Sequence, residues 1–106
     1  MTAALLPWQR VRVSGPSMSP TLRDGDVVIV RHGAPPRPGD VVLAKYREMP
    51  DRYVLKRVVR SDGDGWWLAS DNVAAGGDST VHGTADVFAR AVLRWPRGAK
   101  LPRRIR

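Results

Sequence analysis

The sequence has no cysteine, which excludes disulfide staples, thiolate zinc sites and thiol catalysis. Histidine is nearly missing too. His32 and His82 are the only two in 106 residues, too few for a histidine-built metal centre. No apolar run approaches the roughly 20 residues that a membrane-spanning helix needs. Residues 1–7 are too short for the core of a secretory leader, so a soluble, cytoplasmic protein without stable membrane insertion is expected. Lysine is also scarce, with three against fifteen arginines, and each lysine is therefore worth placing.

What is present is ordinary globular composition, 42% hydrophobic and 26% charged, enough for one domain with one modest core. The net charge of +8 is less uniform than it looks. Arg97, Lys100, Arg103, Arg104 and Arg106 supply five of it, leaving +3 for residues 1–96. The expected organisation is a single domain over residues 1–96 followed by a basic, flexible tail over 97–106. Such a tail could touch nucleic acid or an acidic partner, although nucleic acid is not the favoured partner.

Ten glycines and nine prolines cut the chain into short pieces rich in β-branched residues, aromatics and leucine. Strands are expected at residues 10–13, 26–31, 41–46, 53–59, 66–69 and 87–95. Helix is confined to a turn after Ser17 and another near residues 84–87. The fold class is all-β, a coiled antiparallel sheet or partly closed barrel. Segments 41–46 and 53–59 should form a hairpin with a longer loop. Strands 26–30 and 53–59 carry apolar side chains on both faces and should be buried on both sides. Trp66 and Trp67 point to opposite faces and read as core residues rather than ligand platforms.

The segment Val13-Ser14-Gly15-Pro16-Ser17-Met18-Ser19-Pro20-Thr21-Leu22 carries the most chemical information. A strand ends at Gly15, the chain turns, and Ser17 stands at the corner with its backbone N–H free. An acyl-transfer nucleophile needs that geometry, because the same turn supplies an oxyanion donor; a serine in a Gly/Pro turn can equally be structural. Neither His32 nor His82 lies in a segment that would hold it on this serine. Lysine can replace histidine as the base if burial keeps it neutral. Lys56 shares a strand face with Val54 and Val58, whereas Lys45 lies near a strand end beside Arg47 and should be exposed.

These residues resemble the nucleophile box of type I signal peptidases and LexA-type self-cleaving repressors. The likeness runs in order through Ser17-Met18-x-Pro20-Thr21-Leu22, Gly25-Asp26-Val27-Val28 and Pro38-Gly39-Asp40-Val41-Val42. It continues through Leu55-Lys56-Arg57-Val58-Val59, Ser70-Asp71-Asn72, Asp78-Ser79 and Ala91-Val92-Leu93-Arg94-Trp95-Pro96. It implies a serine-type endopeptidase with a Ser–Lys dyad, Ser17 as nucleophile and Lys56 as general base. It also implies that the Ser17 backbone amide is the oxyanion donor, since Gly15 stands where some members place a second donor hydroxyl. The family's lysine-orienting hydroxyl aligns with Gly76, leaving Ser70 or Ser79 to supply it. Asp78 resembles the family's structural acid, paired with Arg57, or is simply a turn former.

The resemblance further implies a peptide substrate added as a strand along residues 12–15 and 52–56. Val13, Gly15, Met18, Leu22 and Leu55 should form the substrate-binding surface, the four apolar side chains among them lining the pocket before the scissile bond. Only sixteen residues precede Ser17, so neither a membrane anchor nor a DNA-binding domain is expected ahead of it. Within the family the chain is most similar to the small soluble proteases that remove the leader of nickel-type superoxide dismutase precursors. The nickel belongs to the product, so no metal or other cofactor is expected. The alternatives are a signal peptidase-like protease with another substrate and a small basic β-domain that binds nucleic acid.

Overall fold

The structure is a computed structural model that describes residues 7–105; the leader-length reading of the first residues lies largely outside that range. Seven strands follow in order: β1 (Trp8–Arg12), β2 (Val27–His32), β3 (Val41–Tyr46), β4 (Val54–Asp62), β5 (Gly65–Ala69), β6 (Ala85–Trp95) and β7 (Arg103–Arg104). A 3-10 turn (Val73–Ala75) and one four-residue helix, α1 (Ser79–His82), lie between β5 and β6. Every strand pairing is antiparallel, so the expected all-β class holds. The sheet order is β1-β2-β6-β3-β4-β5, and β5 returns to β6 through Trp66 and Ala85. One side of the sheet thus curls into a partial ring. The eleven-residue β6 is the hub, pairing with β2, β3, β5 and β7.

The hairpin of β3 and β4 forms as expected, with Val42 opposite Lys56 and Leu43 opposite Leu55. Two-sided burial is found elsewhere than expected. β3, lying between β6 and β4, alternates its side chains into two separate cores where one had been expected. Val41 and Leu43 join Val13, Met18, Leu22, Val28 and Val30 in the first. Val42, Ala44 and Tyr46 join Val58 and Leu68 in the second. In β2 only Val28 and Val30 are fully covered, and Val59 of β4 is 46% exposed. The curl of the sheet explains this: the strands near its middle, β3 above all, have packed layers on both sides.

The segment after Ser17 makes one hydrogen-bonded turn, Leu22 N–H to Met18 C=O at 2.8 Å, and no helix. Residues 85–87, expected near a helical turn, are instead the start of β6, held by pairings of Ala85 with Tyr46 and Asp86 with Lys45. The helix lies just upstream, where Asp78 caps α1 by accepting from the Thr80 N–H. Trp66 packs against the second core, and Trp67 lies under the Arg60 guanidinium, 4.9 Å from its centre.

The basic tail does not trail free as expected. Residues 96–99 turn back, the Trp95 indole donates to the Ala99 carbonyl at 2.7 Å, and β7 pairs with β6. Ile105 packs against the first core. Charge alone predicted a solvated end; a strand edge and one apolar side chain outweigh it. Among the described residues no helix is long and apolar enough to cross a membrane.

Candidate active site

Ser17 lies in a loop between β1 and β2 that is tied at its base. Val13 donates to the Asp26 carbonyl at 2.7 Å, and Gly25 donates to the Val13 carbonyl at 2.9 Å. Gly15 turns the chain with φ of 86°, a conformation that favours glycine, and its N–H reaches Asp24 Oδ1 at 2.8 Å. Asp26 is buried and accepts from the Arg23 amide at 2.9 Å. Met18, 1% exposed, roots the loop in the first core. Ser17 is thus presented by a pinned turn while its own N–H and hydroxyl engage no partner among the described residues.

The segment after β5 fastens this turn from the other side. Asn72 donates its backbone N–H to the Ser17 carbonyl at 2.9 Å and its side-chain amide to the Pro16 carbonyl at 3.2 Å. Asp71 accepts the Thr21 hydroxyl at 2.6 Å and takes both arms of Arg57, at 2.8 and 2.7 Å. Arg57 also donates to the Gly39 carbonyl at 2.6 Å. Asp71 therefore joins the serine loop to β4 at the residue next to Lys56. Chiefly the hydrogen bond from Arg57 holds its carboxyl below the usual carboxylate range.

Lys56 is 5% exposed, and no hydrogen bond or ion pair engages its ammonium among the described residues. Burial lowers its pKa from the ordinary lysine value; the Asp78 charge opposes that shift and the Arg52 charge reinforces it. Ser17 and Lys56 line one cavity of about 430 Å³ together with Val13, Gly15, Met18 and Leu55. The cavity opens between two strand edges. β1 pairs only with β2, and residues 54–56 of β4 pair with β3 but not with β5.

Other expected site residues are elsewhere. Leu22 is fully buried in the first core and does not line the cavity. Arg57 pairs with Asp71 rather than with Asp78, while Asp78 caps α1 and acts on Lys56 only through its charge. The reason is placement: Asp71 leaves β5 beside Arg57, whereas Asp78 is committed to the helix start. Neither candidate hydroxyl is bonded to Lys56. Ser70 donates to the Gly76 carbonyl at 3.2 Å, and Ser79 accepts the Leu68 N–H at 2.8 Å. Lys45 is half-buried rather than exposed, its ammonium 4.3 Å from the Tyr53 ring centre.

Among the cavity residues, His82 and Tyr46 had no sequence signal strong enough to assign them. His82, read as unfixed, is held by Glu48 at Nδ1 and stacks near Tyr46, ring centres 4.9 Å apart. Tyr46 donates to the Gly77 carbonyl at 3.2 Å, and burial raises its pKa. Arg52, in the segment expected to grip the substrate, is exposed and lines the cavity. Asp71 was in view only as part of Ser70-Asp71-Asn72; its role needed the three-dimensional neighbours.

The chain is similar in sequence to known proteases. Mitochondrial inner membrane protease subunit 1 of Xenopus tropicalis is 32% identical, the match covering 78% of this chain and 66% of that protein. Signal peptidase I of Streptococcus pneumoniae serotype 4 is 40% identical over 57 residues, 54% of this chain and 28% of the relative. The human mitochondrial inner membrane protease subunit 1 is 40% identical over 58 residues, covering 51% of this chain and 35% of that protein. The chain thus spans less than two thirds of these relatives' lengths. The Peptidase S24-like family model matches residues 9–92. The likeness to signal peptidases and LexA-type proteases read from the Ser17 boxes is borne out, and the chain belongs to the Peptidase S24-like family.

Proposed function

We propose that this domain is a serine-type endopeptidase that performs limited proteolysis, with Ser17 as nucleophile and Lys56 as general base. The observation that carries this is one cavity lined by a serine with an unengaged hydroxyl and a lysine whose pKa burial lowers. Neutral Lys56 Nζ takes the Ser17 Oγ proton as Oγ bonds to the scissile carbonyl carbon. The Ser17 N–H stabilises the oxyanion of the tetrahedral intermediate; Pro16 has no N–H to add. As the C–N bond breaks, the Lys56 ammonium returns its proton to the departing amine. Lys56 then deprotonates a water that cleaves the acyl-enzyme ester, restoring Ser17. An extended peptide fits between the edges of β1 and β4, main chain to main chain.

The substrate proposed is the leader-bearing precursor of a nickel-type superoxide dismutase, and the similarity to signal peptidase I supports leader removal as the reaction. Incubating the purified protein with that precursor, followed by mass spectrometry, tests it. Release of the leader by the wild type and not by Ser17→Ala is expected. A folded Ser17→Ala protein that still cuts would remove the dyad, and an uncut precursor would remove that substrate.

A further inference from the structure

Among the described residues that line the cavity there is no aspartate or glutamate, while Arg12, Arg52, Lys56 and His82 all face it. The nearby acids are committed elsewhere: Glu48 to His82, and Asp78 to the start of α1. Among the described residues Arg47, Arg57 and Arg60 carry ion pairs with aspartates and the other arginines carry none; what sets Arg12 and Arg52 apart is that they line the cavity. No carboxylate pairs with Arg12 or Arg52 among the described residues.

Topology puts these two residues at the same end of the cleft. Four successive antiparallel pairings, β1 to β2 to β6 to β3 to β4, leave β1 and β4 running in the same sense. Arg12 closes β1 five residues before Ser17, and Arg52 precedes β4 four residues before Lys56. Both therefore stand upstream of the dyad, one on each lip. At roughly 3.3 Å per extended residue, a peptide strand between the lips reaches them about four residues from the scissile bond.

We propose that the cleft selects peptides with an acidic side chain about four residues from the scissile bond, held between Arg12 and Arg52. This rests on the endopeptidase reading above and adds the substrate class. A carboxylate on that segment would meet two unneutralised donors, whereas a lysine there would meet like charge on both sides. Because the lips are open to solvent, the preference is moderate and weakens with salt.

The experiment uses the intact chain and short peptides taken around the bond it cuts, with Glu, Gln or Lys at each position from two to six residues on either side. The wild type should cut the best-placed Glu peptide about three- to tenfold faster in kcat/KM than its Lys counterpart, with the ratio shrinking at high salt. Arg12→Glu and Arg52→Glu should each narrow or invert that ratio, and Arg52→Gln should narrow it without inversion. Anisotropy binding of the same peptides to Ser17→Ala should rank them in the same order. Equal rates for Glu, Gln and Lys at every position overturn the proposal and leave the endopeptidase standing. An unchanged Glu preference in both reversals overturns it too. If no peptide or protein is cut, the endopeptidase reading fails and the proposal falls with it.

Discussion

Lys56 is the residue on which the proposed chemistry turns, because a lysine in water holds its proton to about pH 10.4. Burial draws that value down, Asp78 pulls it back up and Arg52 pushes it further down. Activity should therefore rise with pH through an apparent value below the ordinary lysine pKa, read from the kcat/KM profile. Asp78→Asn keeps a cap-forming side chain but removes the opposing charge, so the acid limb should move to lower pH. Lys56→Arg should be inactive, since guanidinium stays protonated, while Lys45→Arg should remain active. A base whose folded pKa is depressed binds fewer protons folded than unfolded, so it costs stability below its unfolded pKa. Lys56→Met should then be more stable than the wild type in urea unfolding at neutral pH, yet inactive. Asp71 has the opposite sign. Its depressed carboxyl contributes stability that is present above the ordinary aspartate value and lost as pH falls through its lower folded value. Asp71→Asn should cost about 1–3 kcal/mol in denaturant unfolding and lower kcat more than it raises KM, because the Ser17 turn and β4 lose their shared tie.

At the scale of elements, the loop between β1 and β2 and the first half of β4 act as two facing edges. Leu55 lies on the second, half-buried against the first core and lining the cavity. Leu55→Ala should widen the pocket and relax the side-chain preference beside the cut, measured as a flatter kcat/KM series over Ala, Val and Leu peptides. An unchanged series would remove Leu55 from the substrate surface. Leu22 offers the contrast. It is fully buried in the same core but away from the cavity, so Leu22→Ala should cost about 2–5 kcal/mol of stability and leave the preference as it was.

For the whole molecule, β6 carries the connection between ends of the chain. It pairs with β7, and Ile105 beyond β7 covers the first core. Deleting residues 97–106 should lower Tm, with Ile105 burial alone contributing about 1–2 kcal/mol. Hydrolysis per folded molecule should stay within about tenfold of the wild type, because no tail residue lines the cavity. A larger loss, more than about 1.4 kcal/mol in transition-state terms, would make the tail part of the site.

The all-β class, six of the seven strands and the likeness to the Peptidase S24-like family were legible from the order of residues. Gly/Pro punctuation, β-branched runs and period-two alternation are local signals, and the spaced boxes that carry the family likeness are written in consecutive residues. Burial on both faces of β3, the Arg57–Asp71 pair, the His82–Glu48 contact and the folding back of residues 97–105 were not legible. Each depends on which strands become neighbours across long stretches of chain. Arg57 had two nearby acids to choose between, and only the exit direction of β5 selects Asp71. The basic tail looked solvated because charge is visible in sequence, whereas the free edge of β6 that receives it exists only once the sheet has formed.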